Sequence, residues 1–166
     1  HIHLLKDDMP LALDVLGDMV LHSNMPEDEV ERERGVILQE IGMCHDTPDD
    51  IIFDHYFETA YPNQTLGAPI LGTNDIIRAM PRDVLMRYVK TFYTAENMIV
   101  CASGNVNHDD VVKHVEAQFK DLPNNQDTSR QKAKYKGGEH RTERDLEQSH
   151  IILGFQAPSL GDKHYH

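Results

Sequence analysis

The chain has 166 residues, 39% of them hydrophobic and 27% charged, the usage of a globular domain and not of a disordered polyelectrolyte. Sixteen Lys and Arg stand against 28 Asp and Glu, a formal charge of -12; this argues against a sequence-independent grip on nucleic acid, which needs clustered cations to displace counterions. Apolar runs such as Val36-Ile37-Leu38 and Ile99-Val100-Cys101-Ala102 are far too short for a membrane span, and an acidic surface suits basic or extended peptide partners.

Residues 1–8 read as an extended segment. Pro10 opens a first helix, where its missing N–H costs nothing, and Leu11, Leu13, Val15, Leu16, Met19 and Val20 carry it to about His22. Apolar residues lie almost all round it, so burial on most sides is expected. Pro26 starts a second helix, with Glu27, Asp28 and Glu29 in the first turn, where acids favour the positive end of the helix dipole. It is expected to run to about Cys44. A third helix follows from Asp50 to about Ala60.

Residues 61–72 carry two Pro and two Gly and read as an ordered loop. Short helices are expected from Asn74 to Met80 and onward from Pro81, the latter with Val84, Leu85, Tyr88, Val89 and Phe92 inward. Met98 to Ala102 is the clearest strand, closed by Ser103-Gly104. Asn107 is placed to cap a further helix through Val111, Val115 and Phe119. Residues 124–136 are polar and read as a connector. Glu139–Asp145 and His150–Phe155 are strand candidates. Helices interleaved with a few strands indicate an α+β or layered α/β domain.

The second helix carries the sharpest signal. With Glu33 at zero on a wheel, Cys44, Ile37, Val30 and Ile41 fall at about 20°, 40°, 60° and 80°, and Val36 at about 300°. Glu40 falls at about 340°, because seven residues are almost two full turns. Both carboxylates therefore sit in the face expected to be buried, while Glu27, Asp28, Glu31, Arg34 and Gly35 take the wet side. A buried, unpaired carboxylate costs several kcal/mol. Such acids persist when they bind a metal, do acid–base chemistry or pair with a cation. An internal salt bridge to Arg32 or Arg78, or a wetter face, is the competing account.

Other constellations are weaker. Cys44 and Cys101 have apolar neighbours and no CxxC spacing, as expected of two buried free thiols, and leave the redox compartment open. Eleven histidines include no HxxxH, HxxH or HxxEH pair. There is no GxSxG, P-loop or GxGxxG. The opening residues lack the features of a signal peptide. No initiating Met is present and the chain stops at His164-Tyr165-His166; a piece of a longer protein is expected.

Five segments in order carry a resemblance. They are Leu5-Lys6-Asp7-Asp8-Met9-Pro10-Leu11-Ala12-Leu13-Asp14-Val15-Leu16, then Glu31-Arg32-Glu33-Arg34-Gly35-Val36-Ile37-Leu38-Gln39-Glu40-Ile41, then Leu66-Gly67-Ala68-Pro69-Ile70-Leu71-Gly72-Thr73, then Phe92-Tyr93-Thr94-Ala95-Glu96-Asn97-Met98, and finally Ala102-Ser103-Gly104-Asn105-Val106. The chain resembles the M16 zinc metallopeptidases, the insulinase, pitrilysin and mitochondrial processing peptidase group (inverzincins), in its bacterial, processing-peptidase-like branch. The resemblance implies a two-layer lobe, a mostly antiparallel sheet packed on one side by helices. Residues 1–123 would be part of its zinc-binding N-terminal lobe, and residues 124–166 a connector with further strands of the same lobe.

Zinc in that family is held by the two His of HxxEH and a downstream Glu. The resemblance maps that Glu to Glu40, and the Glu seven residues earlier, which supports the ligands, to Glu33. It implies metal-assisted peptide hydrolysis with the HxxEH Glu as general base. HxxEH is absent; it would precede Glu40 by more than the 39 residues that stand before it. The isolated chain is therefore expected to be inactive and largely zinc-free. The implied partners are a peptide or unfolded-protein substrate and a second M16 lobe, from the same chain or another subunit, with no nucleic acid and no membrane. A non-catalytic M16 homologue serving as a structural or substrate-binding subunit is the alternative. The compartment is open among cytoplasm, periplasm and mitochondrial matrix, with the bacterial look pointing to the first.

Overall fold

A computed structural model describes residues 1–124 and 131–165. Its regular elements are six α-helices: α1 Met9–Leu21, α2 Glu27–Asp46, α3 Pro48–Ala60, α4 Asn74–Ala79, α5 Arg82–Phe92 and α6 His108–Gln118. Of three single 3-10 turns, Lys6–Asp8 precedes α1, and Thr65–Gly67 and Ala95–Asn97 lie between helices. The helices stand where the periodicity places them. Pro10 and Pro48 open α1 and α3, and the Thr73 and Asn107 side chains cap α4 and α6 by accepting from the Ile76 and Asp110 amides at 3.3 and 3.1 Å. α2 extends to Asp46, beyond the expected end at Cys44.

The α+β expectation, a mostly antiparallel sheet packed by helices, is not met: among the described residues there is no strand. Met98–Ala102 forms no ladder, and Ile99 is 88% exposed. Glu139–Asp145 and His150–Phe155 form none either. The period-two pattern is nonetheless real: Ile151, Leu153 and Phe155 are 79%, 81% and 83% exposed, while His150, Ile152 and Gly154 are half-buried. Alternation sorts side chains to two sides, but a strand also needs a neighbouring backbone to take its N–H and C=O groups.

The chain divides into two compact units, His1–Val30 with Pro81–Ser129, and Glu31–Met80 with Arg130–His166. In the first, α1 packs on α6. Gly17 leaves room for the Gln118 side-chain amide, which a Cβ there would displace and which donates to the Asp14 carbonyl at 2.9 Å. Leu13, Gly17 and Val111 are buried. Leu11, Val15 and Met19 are exposed, so α1 is not buried on most sides as expected: α6 covers one face and the apolar residues opposite lie open.

In the second unit, residues 134–154 run beside α3 and are held mostly by polar groups. Lys136 N–H donates to the Ala60 carbonyl at 2.9 Å. Gln64 binds both backbone groups of Lys134, donating to its carbonyl at 2.9 Å and accepting from its amide at 2.7 Å. The Tyr135 hydroxyl donates to the Gly154 carbonyl at 3.0 Å, and Gly154 is needed because a Cβ would strike the Tyr56 ring. The apolar centre is small: Ile41, Ile51 and Ala60.

Since the Asn107 cap satisfies an amide that α6 cannot bond internally, Asn107→Ala is expected to lower the unfolding free energy by about 1 kcal/mol and Asn107→Gly by only a few tenths, as read from the urea denaturation midpoint.

Candidate functional site

α2 is the element on which the two candidate acids stand. Its packed line is Val30, Arg34, Ile37, Leu38, Ile41 and Cys44, with Ile41 only 3% exposed. Arg34, expected on the wet face, is inside this line, and its side chain is 16% exposed. Its guanidinium donates to the Ile77 carbonyl, and to the Met80 carbonyl at 3.0 Å, while Nε pairs with Glu31 at 2.9 Å. The long aliphatic stem packs and the charged head finds oxygen.

Glu33 and Glu40 are exposed. They are not in the middle of a buried face; they flank the packed line on one side. Val36, 44% exposed, is outside the line; counting it as core draws the stripe towards the acids. The true centre is at about 80° on the same wheel, where Ile41 lies beside Arg34 at about 100°. Neither carboxylate makes a hydrogen bond or ion pair among the described residues, and the internal salt bridges considered for them do not form. The structure thus presents two open carboxylates, two helical turns apart, on the same side of one helix.

A zinc site takes three or four protein ligands from His, Cys, Asp or Glu. Among the described residues no group of three such side chains is arranged to hold a metal ion. Glu40 fits a single oxygen donor, and the residues of this chain do not make up the rest of a site. Cys44 does not help: burial first, then Asp54 and Asp50, push its thiol up, and it faces the Asp54 carboxylate at 3.9 Å, which disfavours the thiolate a metal needs. Cys44 and Cys101 are free thiols, but Cys101 is exposed, not buried as expected.

A second titratable cluster lines a cleft of about 1070 Å³ beside α3. The His55 and His140 rings stack at 4.3 Å, His140 meets the Thr142 hydroxyl at 2.8 Å, His150 pairs with Asp49 at 2.7 Å, and Arg144 donates to the His45 carbonyl at 2.8 Å. These contacts join residues 140–150 to α3 and the end of α2. Sequence spacing could not reveal them, because the partners are about a hundred residues apart for Arg144 and His45 and similarly far for the histidines.

The comparisons with known proteins follow the same residues. Residues 1–74 match the profile described as insulinase (peptidase family M16), and residues 79–166 the profile described as the peptidase M16 inactive domain. The chain belongs to the M16 peptidase family. A Rickettsia bellii protein named "uncharacterized zinc protease" is 36% identical over 156 residues, 94% of this chain and 38% of that protein. Bacillus subtilis YmxG, with the same kind of name, is 33% identical over 159 residues, 95% of this chain and 39% of its own length. The chain thus spans under two-fifths of the curated relatives it matches. Among solved structures, a protease from Helicobacter pylori superposes with a TM-score of 0.67 at 23% identity, over 74% of this chain and 30% of that one. A chain of complex III from Candida albicans gives 0.70 at 18%, over 81% and 33%. These two likenesses are of fold.

His55 is held below its ordinary value of 6.5, by burial first and then by His140, with His45 in the same direction and Glu58 and Asp54 opposing. The neutral ring is favoured in the folded chain, so this contribution to stability is complete above the unfolded value and is lost as pH falls from about 6.5 through the lower folded value. The denaturation midpoint is expected to drop as pH falls below about 6.5, and His140→Gln is expected to flatten that slope; an unchanged slope in the variant would remove the stack as its source.

Proposed function

We propose that these 166 residues are part of a zinc-dependent endopeptidase of the processing-peptidase-like M16 type, and that Glu40 is the zinc ligand this segment contributes. The reading is carried by the Glu33-to-Glu40 segment, which resembles the family's metal-binding helix and lies within the residues matched by the insulinase profile; the structure leaves both carboxylates open and unpaired among the described residues, so Glu40 is free to take a cation. Glu33 is then the carboxylate that supports the ligands from two turns away. The names of the relatives and the match of both M16 profiles support the assignment.

On this reading residues 1–123 are part of the zinc-binding lobe and residues 124–166 its continuation. The remaining metal ligands and the general base come from outside the segment, as does a second M16 lobe from the same chain or a partner subunit. The substrate is a peptide or unfolded protein in extended form. No catalytic step is assigned to the residues present, because they hold one donor of the site. The second reading, a non-catalytic M16 partner subunit, has Glu33 and Glu40 as solvated surface acids with no cation to meet.

Zinc analysis of the full-length parent separates the two. The peptidase reading expects about one zinc per catalytic lobe, a large loss in Glu40→Gln, and neither tight zinc nor peptide hydrolysis in the isolated 166 residues. Zinc content that Glu40→Gln leaves unchanged would remove Glu40 from the site.

A further inference from the structure

Helix α2 is weakly specified in roll, the rotation about its own axis. Ile41, the first lock, is its one fully buried residue; Val30, Ile37, Leu38 and Cys44 on the same face are only half-buried, so the apolar area that holds the helix against rotation is small. The second lock is Arg34. It stands seven residues before Ile41, almost two turns, on the same face. Glu33 and Glu40 have the same spacing, each one position before a lock residue. The geometry therefore ties the two pairs together: while Arg34 and Ile41 face inward, both acids must leave the helix about 100° to one side. A roll of one residue's angle would carry both carboxylates into the packed line.

We propose that Arg34 is the positioning residue of this site: by bonding the carbonyl oxygens of Ile77 and Met80 it sets the roll of α2 and so the direction of Glu33 and Glu40. The carbonyl of Ile77 is among the last four of α4 (Asn74–Ala79) and that of Met80 follows directly, where carbonyls lack helical partners. A guanidinium is the group that meets both at once, since its planar fork offers five donors in fixed directions; an ammonium is a point charge on a flexible stem and cannot reproduce the fork. Glu31 holds the remaining Nε, but its carboxylate is 73% exposed, and an exposed ion pair of this kind adds little. The two carbonyls are the anchor.

This inference rests on Glu40 being a metal ligand, and its test separates the two claims. In the full-length parent, zinc release to a chelator, kcat and KM, thermal midpoint and amide exchange across residues 74–80 are measured for Arg34→Gln, Arg34→Lys, Glu31→Gln and Glu40→Gln. Arg34→Gln is expected to speed zinc release about tenfold or more, the size of effect seen when a support of a metal ligand is lost, to lower kcat with little change in KM, and to loosen residues 74–80. Arg34→Lys is expected to recover part of the zinc retention, and Glu31→Gln to resemble the wild type. Should Arg34→Gln fail to fold, Arg34→Lys against Glu31→Gln decides. Wild-type zinc release and kcat in the Arg34 variants, with zinc lost in Glu40→Gln, would overturn the inference and leave the metal reading standing. Zinc retained in Glu40→Gln would overturn the metal reading, and the exchange across residues 74–80 would then decide the anchoring role of Arg34 alone.

Discussion

The bonds from the Arg34 guanidinium to the carbonyls of Ile77 and Met80 are the constraint on which the placement of the candidate acids depends. They join the helix that carries the candidate acids to the end of a short helix more than forty residues further along the chain. A half-buried cation is normally a liability. Here its charge is met by two carbonyls and the Glu31 carboxylate, so its desolvation is offset. Together with Ile41 and the half-buried Val30, Ile37 and Leu38, that contact sets the roll of α2, and the two open carboxylates inherit it.

Polar groups are the fasteners in the second unit as a whole. Gln64 takes both backbone groups of Lys134, as a neighbouring strand would. Tyr135, Arg144 and His150 tie the following residues to the Gly154 carbonyl, to α2 and to α3. Ile41, Ile51 and Ala60 are a small core for so long a stretch. The row Ile151, Leu153 and Phe155 remains outside it.

The helices were legible because their signals are local. Prolines at the starts, acids in the first turns, Asn107 at a cap and a 3.6-residue apolar period each act within a few residues. The strands were misread for the opposite reason. Alternation in Ile151-Ile152-Leu153-Gly154-Phe155 is a local pattern, whereas a sheet is a relation between distant backbones. The misplaced roll of α2 has the same origin. Val36 looked like core because it is apolar, and Arg34 looked like surface because it is charged. The signal that could have corrected both is the spacing Val30, Arg34, Ile37, Ile41, in which an arginine stands where an apolar residue is expected.

By itself the sequence determined the six helical segments, the family and the two carboxylates that share a side of α2, since helix geometry alone places residues seven apart on one face. Only the tertiary structure decided which way that side points. That depends on what the rest of the helix packs against, and carbonyl groups at the end of α4, invisible in any residue pattern, turned Arg34 inward and both acids out to solvent.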